Sequence, residues 1–501
     1  NDVIARGGIF EPHESHFVGE TISLDSGDTD DQTEIRRVYF PITHLEQHRK
    51  RLLVDGDERG VGVGHGAIVR HPSTLPDAVR QYGLMKTVVI VAGCQSDRTA
   101  DFVAAARLLR LDTLIATDTA APFEGAAGHL EIDLGDPVGA AQQIAAAAPD
   151  ADAVVAVDDE GVQTAALAAE ALDLVHNAPA AVAATRDKLA MRRLLAADGV
   201  AQPAFVAAGP GEVSESAARL GYPVVVKPTG LSASRGVIRI DGAIDASRAE
   251  RRIRAILSAA DRDPAEPLLV ESYVPGDEVV IEGLLIGGDL QALAVIDKPD
   301  PLEGPFFEET MFVTPSRLSE QTQQEAVTLA ADAATAIGLA TGPVHAEVRI
   351  PTDGPAQLIE IAARSIGGLC GRSLSFGLLS ESLEVVILRS ALGIDSSDTA
   401  PAQPATGVLM LPIPASGTFT GVENAGAVEA ITGITGVTIT IPNGRPVLAL
   451  PEGDRYLGLV FAEGLTADAV EESLRQAAAA LVVTIDGEEL TSNGMAAAHP
   501  T

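Results

Sequence analysis

From Met85 onward the chain alternates short apolar runs with segments of helical spacing. Thr87–Val91, Leu114–Ala116, Leu130–Ile132 and Val154–Val157 read as buried strands, and Arg98–Arg110, Pro137–Ala147 and Val162–Leu172 as the helices between them. Strands alternating with helices predict a parallel sheet covered on both faces over residues 85–178. From Pro179 the texture changes. Arg186–Ala197 predicts an amphipathic helix, Ala204–Val206 and Pro223–Lys227 predict strands, and Ala246–Ala260 predicts a long charged helix. Leu268–Val270, Glu278–Ile286 and Leu290–Ile296 are joined too closely for crossovers and predict an antiparallel meander. A helix over Gln321–Ile337, a hairpin of Val344–Ile350 with Ala356–Ala362, and a helix over Ser380–Leu392 complete a block spanning 179–400. Short strands and the helix Ala467–Ala480 then predict a small α+β domain over 401–485, followed by a frayed tail, 486–501. Residues 1–84 show no sustained periodicity and read as an unassigned arm.

The chain has 501 residues, too many for one core, so several domains are expected. With 35 basic against 70 acidic residues the net charge is −35, which disfavours nucleic acid or an anionic membrane as partner. A carboxylate-rich surface of this kind suits high salt, and an acidic cytoplasmic enzyme has the same look. Cys94 and Cys370 stand far apart and form neither a disulfide framework nor a zinc site, which points to a reducing, cytoplasmic setting. No run of 18 apolar residues occurs, and the first residues lack the apolar core of a signal peptide.

The candidate chemistry lies in the middle block. Only five Lys occur, and Lys227 ends the apolar run Val224-Val225-Val226, just ahead of the loop Gly230–Gly236. A fixed cation followed by backbone N–H groups and the hydroxyls of Ser232 and Ser234 suits an anionic ligand such as a phosphate. Glu271-Ser272-Tyr273-Val274 leads into Pro275-Gly276, a break that exposes backbone groups able to bond a purine edge, and Glu278 stands seven residues past Glu271 to accept from a ribose. Glu347 and Glu360 lie on the two strands of the predicted hairpin and offer paired hard oxygens for magnesium, with Arg364 four residues on to balance a transferring phosphoryl group. Taken singly, the loop after Lys227 and the Pro275-Gly276 segment more often mark ordinary turns, and the two glutamates equally suit a solvated acidic pair.

In this order, Asp187-Lys188-Leu189, Val226-Lys227-Pro228, Gly230–Gly236, Val270–Glu278, Gly342–Glu347, Ile359–Gly368 and Leu450–Gly458 resemble the ATP-grasp superfamily, in its amino-acid-ligase-type and biotin-carboxylase-like branch. The resemblance implies a multidomain α/β and α+β chain: a parallel pre-ATP-grasp domain, a two-subdomain ATP-grasp clamp and a small C-terminal domain. It further implies that Lys188 and Lys227 contact ATP phosphates under the loop that carries Gly230, Ser232, Ser234 and Gly236. Glu271, Ser272, Tyr273 and Val274 would cradle adenine, Glu278 would hold the ribose, and Glu347 and Glu360 would ligate magnesium, with manganese an admissible substitute. Arg364, with the Gly367-Gly368 backbone, would stabilise an acyl-phosphate. One departure stands out: the family's Glu-x-Asn-x-Arg reads Glu360-Ile361-Ala362-Ala363-Arg364, and Ala cannot ligate a metal. Lys298, Glu308, Glu309, His345 and Arg372 fall where the resemblance places the acceptor pocket.

The leading expectation is an ATP- and magnesium-dependent ligase joining a small carboxylate and an amine, with a homodimer as an admissible assembly. The rivals are a bicarbonate-activating, biotin-carboxylase-like enzyme and an ATP-binding module without turnover. A dinucleotide oxidoreductase is disfavoured, because Val91-Ala92-Gly93-Cys94-Gln95-Ser96 lacks G-x-G-x-x-G. The spacing of His13, His16, His44, His48, His65 and His71 is too irregular for a metal tract.

Overall fold

The computed structural model describes residues 85–120, 125–375, 381–394 and 405–491. The arm 1–84, with its six histidines, lies outside them. The chain is a mixed α/β and α+β protein. Its first layer is the expected parallel sheet, in the order Gly128–Glu131, Asp112–Thr117, Thr87–Ala92, Ala153–Ala156, with the helices Thr99–Leu108, Pro137–Ala147 and Val162–Ala171 packed against it. Cys94, just past the first strand, is an exposed thiol, and Cys370 is buried and free.

The middle block is built on two antiparallel sheets. The smaller runs Phe205–Ala208, Leu268–Ser272, Val224–Pro228, Ile238–Ile240. Side chains alternate across a strand, so Val224, Val226, Leu268 and Val270 pack against the helices Val213–Leu220 and Ala243–Ala259, and Lys227 and Glu271 face the other way. The larger sheet has eight strands: Gln357–Ala362, Thr341–Ile350, Asp277–Ile286, Asp289–Lys298, Met311–Thr314, Ala405–Leu411, Gly458–Gly464 and Ile434–Ile439. One face packs Val279, Ile281, Val344, Ala346, Val348 and Ile361 on the helix Glu320–Ile337. The other face carries Glu278, Glu282, His345, Glu347, Arg349 and Glu360.

Three expectations need correction. The meander loses its first strand, because Leu268–Ser272 pairs within the small sheet and only Asp277–Ile286 and Asp289–Lys298 pair with each other. The chain switches sheets at Gly276, whose φ of +109° and 2.2 Å from an added Cβ to the Ile350 carbonyl oxygen admit no side chain. The helix expected from Arg186 is two helices, Pro179–Arg186 and Lys188–Ala197, broken at Asp187, whose carboxylate caps the second by accepting from Leu189 N at 2.9 Å and Ala190 N at 3.2 Å. The third concerns the end of the chain, where the small α+β domain expected at 401–485 lends three of its strands to the large sheet. The remainder, Gly417–Glu423, Pro446–Val447 and Val482–Ile485, forms its own sheet with a fourth strand, Glu488–Thr491, so residues 488–491 belong to the fold and not to a frayed tail. Among the described residues no helix is long and apolar enough to cross a membrane.

Candidate active site

The face of the small sheet that bears Lys227, the polar face of the large sheet and the carboxyl end of the parallel sheet enclose a cleft of about 1360 Å³. Lys188, Lys227, Glu347, Glu360 and Arg364 all line it. Lys188 opens the helix after the Asp187 cap; its Nζ donates to the Leu231 carbonyl at 2.8 Å and lies 3.1 Å from Glu360. Lys227 is buried, 2.6 Å from Glu271, which also accepts from Arg192 Nε at 2.5 Å. Burial raises the Glu271 carboxyl, but the two cations outweigh it and hold the group below its ordinary range. Burial also lowers the Lys227 ammonium, a pull that Glu271 opposes.

The loop after Lys227 lies over the cleft and touches the C-terminal part of the chain. Ala233 and Ser234 adopt positive φ, Arg235 reaches Asp454 at 3.2 Å, and Gly236 N donates to the Pro451 carbonyl at 2.9 Å. Gly230, Ser232 and Ser234 line the cleft; Gly236 does not, being turned to Pro451. Glu271, Ser272, Tyr273 and Val274 form the adjoining wall. Arg239 stacks over the Tyr273 ring at 4.2 Å, and Ser272 Oγ accepts from Ala204 N at 3.0 Å.

On the large sheet, register decides which charges meet. Glu347 is paired with Glu360, His345 with Glu282, and Arg349 and Lys298 with Glu278. Glu278 lies 2.6 Å from the Lys298 ammonium and 2.5 Å from Arg349 Nε. Lys298 also bonds Glu309 and lies 3.6 Å from Glu347. Carboxylate oxygens of Glu278, Glu309 and Glu347 lie within 4.8 Å of one another, so the ammonium already fills the tightest acidic triad among the described residues. For Glu347, burial alone would raise the carboxyl, but Lys298 and His345 hold it well below the ordinary range. The buried His345 bonds Glu282, and that carboxylate lifts the imidazole to about 9 despite burial. Glu282 also accepts from Ile366 N at 3.0 Å, tying the sheet to the turn that carries Gly367 and Gly368.

Three expected acceptor residues are placed otherwise. Lys298 is buried, with its charge spent on three carboxylates, and does not line the cleft. Arg372 is outside it, donating from Nε and Nη2 to Asp101 at 2.9 Å each. Glu308 is also off the cleft wall, half-buried, with its carboxyl pushed up to about 7 by burial. Glu309 and His345 do line the cleft, as does Ala362, a buried methyl where the family pattern has an amide.

The sequence reading missed the residues that the first layer contributes. Asp159 pairs with Arg364 at 3.0 Å and with Arg186 at 2.8 Å. Buried Arg98 donates to Ser365 Oγ at 2.9 Å, the Ile366 carbonyl at 2.6 Å and Glu384 at 2.9 Å. One signal was available for Asp159: Asp158-Asp159-Glu160-Gly161 follows a parallel strand at its carboxyl end, where open α/β sheets bind ligands.

Residues 220–373 match the family model for the ATP-grasp domain, and residues 409–486 match L-amino acid ligase C-terminal domain 2. Alanine–anticapsin ligase of Bacillus subtilis (strain 168) is 29% identical over 164 residues, 30% of this chain and 34% of that protein. D-alanine–D-alanine ligase of Gloeobacter violaceus is 30% identical over 207 residues, 39% of this chain and 63% of its own length. The matches thus span about a third to under two thirds of these relatives. The crystal structure of L-amino acid ligase from Bacillus licheniformis superposes with a TM-score of 0.67 at 24% identity, covering 80% of this chain and 99% of that one, which is a likeness of fold. The chain thus carries a segment matching an ATP-grasp domain and, beyond it, a segment matching an L-amino acid ligase C-terminal domain, in a fold shared with that solved ligase.

Proposed function

We propose that the cleft carries out ATP- and magnesium-dependent ligation of a small carboxylate to an amine through an acyl-phosphate. The observation that carries this reading is the convergence of two buried lysines, two register-paired glutamates and one arginine on a single cleft. Lys188 and Lys227 would contact the phosphates and the 230–236 loop would cover them. The Glu271–Val274 wall would take adenine. Both Glu278 oxygens are engaged by cations, yet a carboxylate has about four lone-pair sites, which leaves capacity for a ribose hydroxyl.

Glu347 and Glu360 suit a hard divalent ion: both are oxygen donors, and Glu347 is held ionised by its neighbours. When bound, magnesium would neutralise phosphate charge and align the transferring group. The substrate carboxylate oxygen attacks the terminal phosphorus, the bond to the ADP oxygen breaks, and the acyl-phosphate forms beside Arg364 and the Gly367-Gly368 turn. The amine lone pair then attacks the acyl carbon, phosphate leaves, and the nitrogen loses a proton. Glu309 and His345 are the cleft residues placed to hold polar groups of the substrates. Closure over the cleft would shield the acyl-phosphate from water.

Amino-acid substrates are supported by the names of the matched relatives, both of which join an alanine. Buried Ala362 favours a second reading, an ATP-binding module without turnover. A phosphate-release screen of amino-acid pairs and of bicarbonate, with ATP and magnesium, separates these readings and the bicarbonate one. Lys227→Ala and Glu360→Ala should each abolish ADP formation while the chain stays folded, since Glu271 keeps Arg192 in the first variant. Turnover retained in both would remove the site assignment.

A further inference from the structure

The roles proposed above leave Asp159 unused, although it is the carboxylate on which two walls of the cleft meet. It stands in the turn after the strand Ala153–Ala156, in the first layer. One oxygen accepts from Arg364 Nη2 at 3.0 Å, and the other pairs with Arg186 Nη1 at 2.8 Å. Arg186 Nη1 also donates to Ser232 Oγ at 3.1 Å, in the loop over the cleft. A continuous chain of polar contacts therefore runs Ser232, Arg186, Asp159, Arg364.

We propose that Asp159 is a positioning residue that couples the 230–236 loop to Arg364, so that the hold of the loop on a triphosphate and the aim of the guanidinium are set together. This inference rests on the ligase reading for what the two ends do. Charge favours the carboxylate, because it is the anion that pairs with both guanidiniums at once. Geometry makes it specific. Arg364 Nη1 donates to the Ser365 carbonyl at 3.0 Å, so the bond from Nη2 to Asp159 fixes the plane of the guanidinium. The turn itself is held independently, by Arg98 on Ser365 Oγ and the Ile366 carbonyl and by Glu282 on Ile366 N. Loss of Asp159 should thus free the Arg364 side chain and leave its backbone in place.

The test uses the full chain with two readouts: phenylglyoxal labelling of Arg364, quantified by mass spectrometry, and calorimetric affinity for a magnesium complex of a non-hydrolysable ATP analogue. In Asp159→Asn, labelling of Arg364 in the free protein should rise roughly fivefold, with the chain still folded at the assay temperature. Ser232→Ala should weaken analogue binding roughly threefold in the wild type and have no further effect in Asp159→Asn, the non-additivity of linked sites. Asp159→Glu, which keeps the charge, should restore part of that coupling. Unchanged Arg364 labelling, or effects of the two substitutions that simply multiply, overturns the proposal. Should Asp159→Asn fail to fold, Arg186→Gln severs the same chain of contacts at its loop arm and must abolish the Ser232→Ala effect. If no variant and no wild type binds the analogue, the ligase reading fails, whereas Arg364 labelling still decides whether Asp159 positions that side chain.

Discussion

Glu308 and Glu309 are neighbours in sequence with opposite surroundings. Burial raises both carboxyls, but at Glu309 the Lys298 ammonium opposes the rise, whereas burial alone takes Glu308 from 4.5 to about 7. A carboxyl whose pKa is raised on folding binds its proton more tightly in the folded chain. Its contribution is therefore fully present below pH 4.5 and lost as pH rises through about 7. Glu308→Gln should flatten the fall in melting temperature between pH 5 and 8 and leave the variant the more stable at pH 8; parallel curves for the two proteins would refute the assignment. Legibility at this scale follows sequence distance. Lys188, Lys227, Glu347, Glu360 and Arg364 stood out because each sits in a local pattern whose geometry a strand or turn fixes. Asp159 and Arg98 act on partners 205 and 267 residues away, and no local pattern points there.

Among the elements, the strand Val224–Pro228 could be read from its alternation, since two residues per repeat send Val224 and Val226 inward and leave Lys227 on the opposite face. Pairing could not be read so well. Leu268–Ser272 looks like part of the following hairpin, and only the break at Gly276 and the hydrogen bonds to Val224–Pro228 assign it to the small sheet. Close packing of a strand on a helix gives a further prediction. A Cβ at Gly407 would lie 2.7 Å from Val470 Cγ1 and 2.8 Å from the Phe312 carbonyl oxygen, a backbone atom that cannot swing aside. Gly407→Ala should cost about 1–3 kcal/mol in a denaturant titration. Gly436→Ala, with nothing within 4 Å of its added Cβ, should change stability by about 0.5 kcal/mol or less. Equal effects at the two positions would show that packing against the helix Ala467–Ala480 does not limit Gly407.

Across the molecule, one core unites what the sequence divides. Val88, Ile90 and Phe102 of the first layer cluster with Val280 and Phe312 of the large sheet and with Met410 and Phe461 from beyond residue 400. Arg252 also pairs with Glu452 at 2.6 and 2.8 Å, joining the small sheet's helix to the C-terminal part. The net charge of −35 acts on this whole. Self-repulsion of that size opposes compactness, and salt screens it, with a Debye length of about 10 Å at 0.1 M falling to about 3 Å at 1 M. The melting temperature should therefore rise with sodium chloride from about 0.1 to 1 M; a flat or falling curve would show that local ion pairs outweigh the global charge.

By itself the sequence determined the alternating elements of the first layer, the composition of the glycine- and serine-containing loop, the charged residues that line the cleft beside it and the alanine at position 362, because each is encoded by neighbours within a turn or a strand. Only the tertiary structure decided that Lys298 neutralises an acidic triad, that Arg372 belongs to Asp101, that strands from beyond residue 400 extend the large sheet, and that Asp159 joins the loop to Arg364. Those are matters of which distant charges share a small volume, and chain connectivity does not fix such distances until the core has closed.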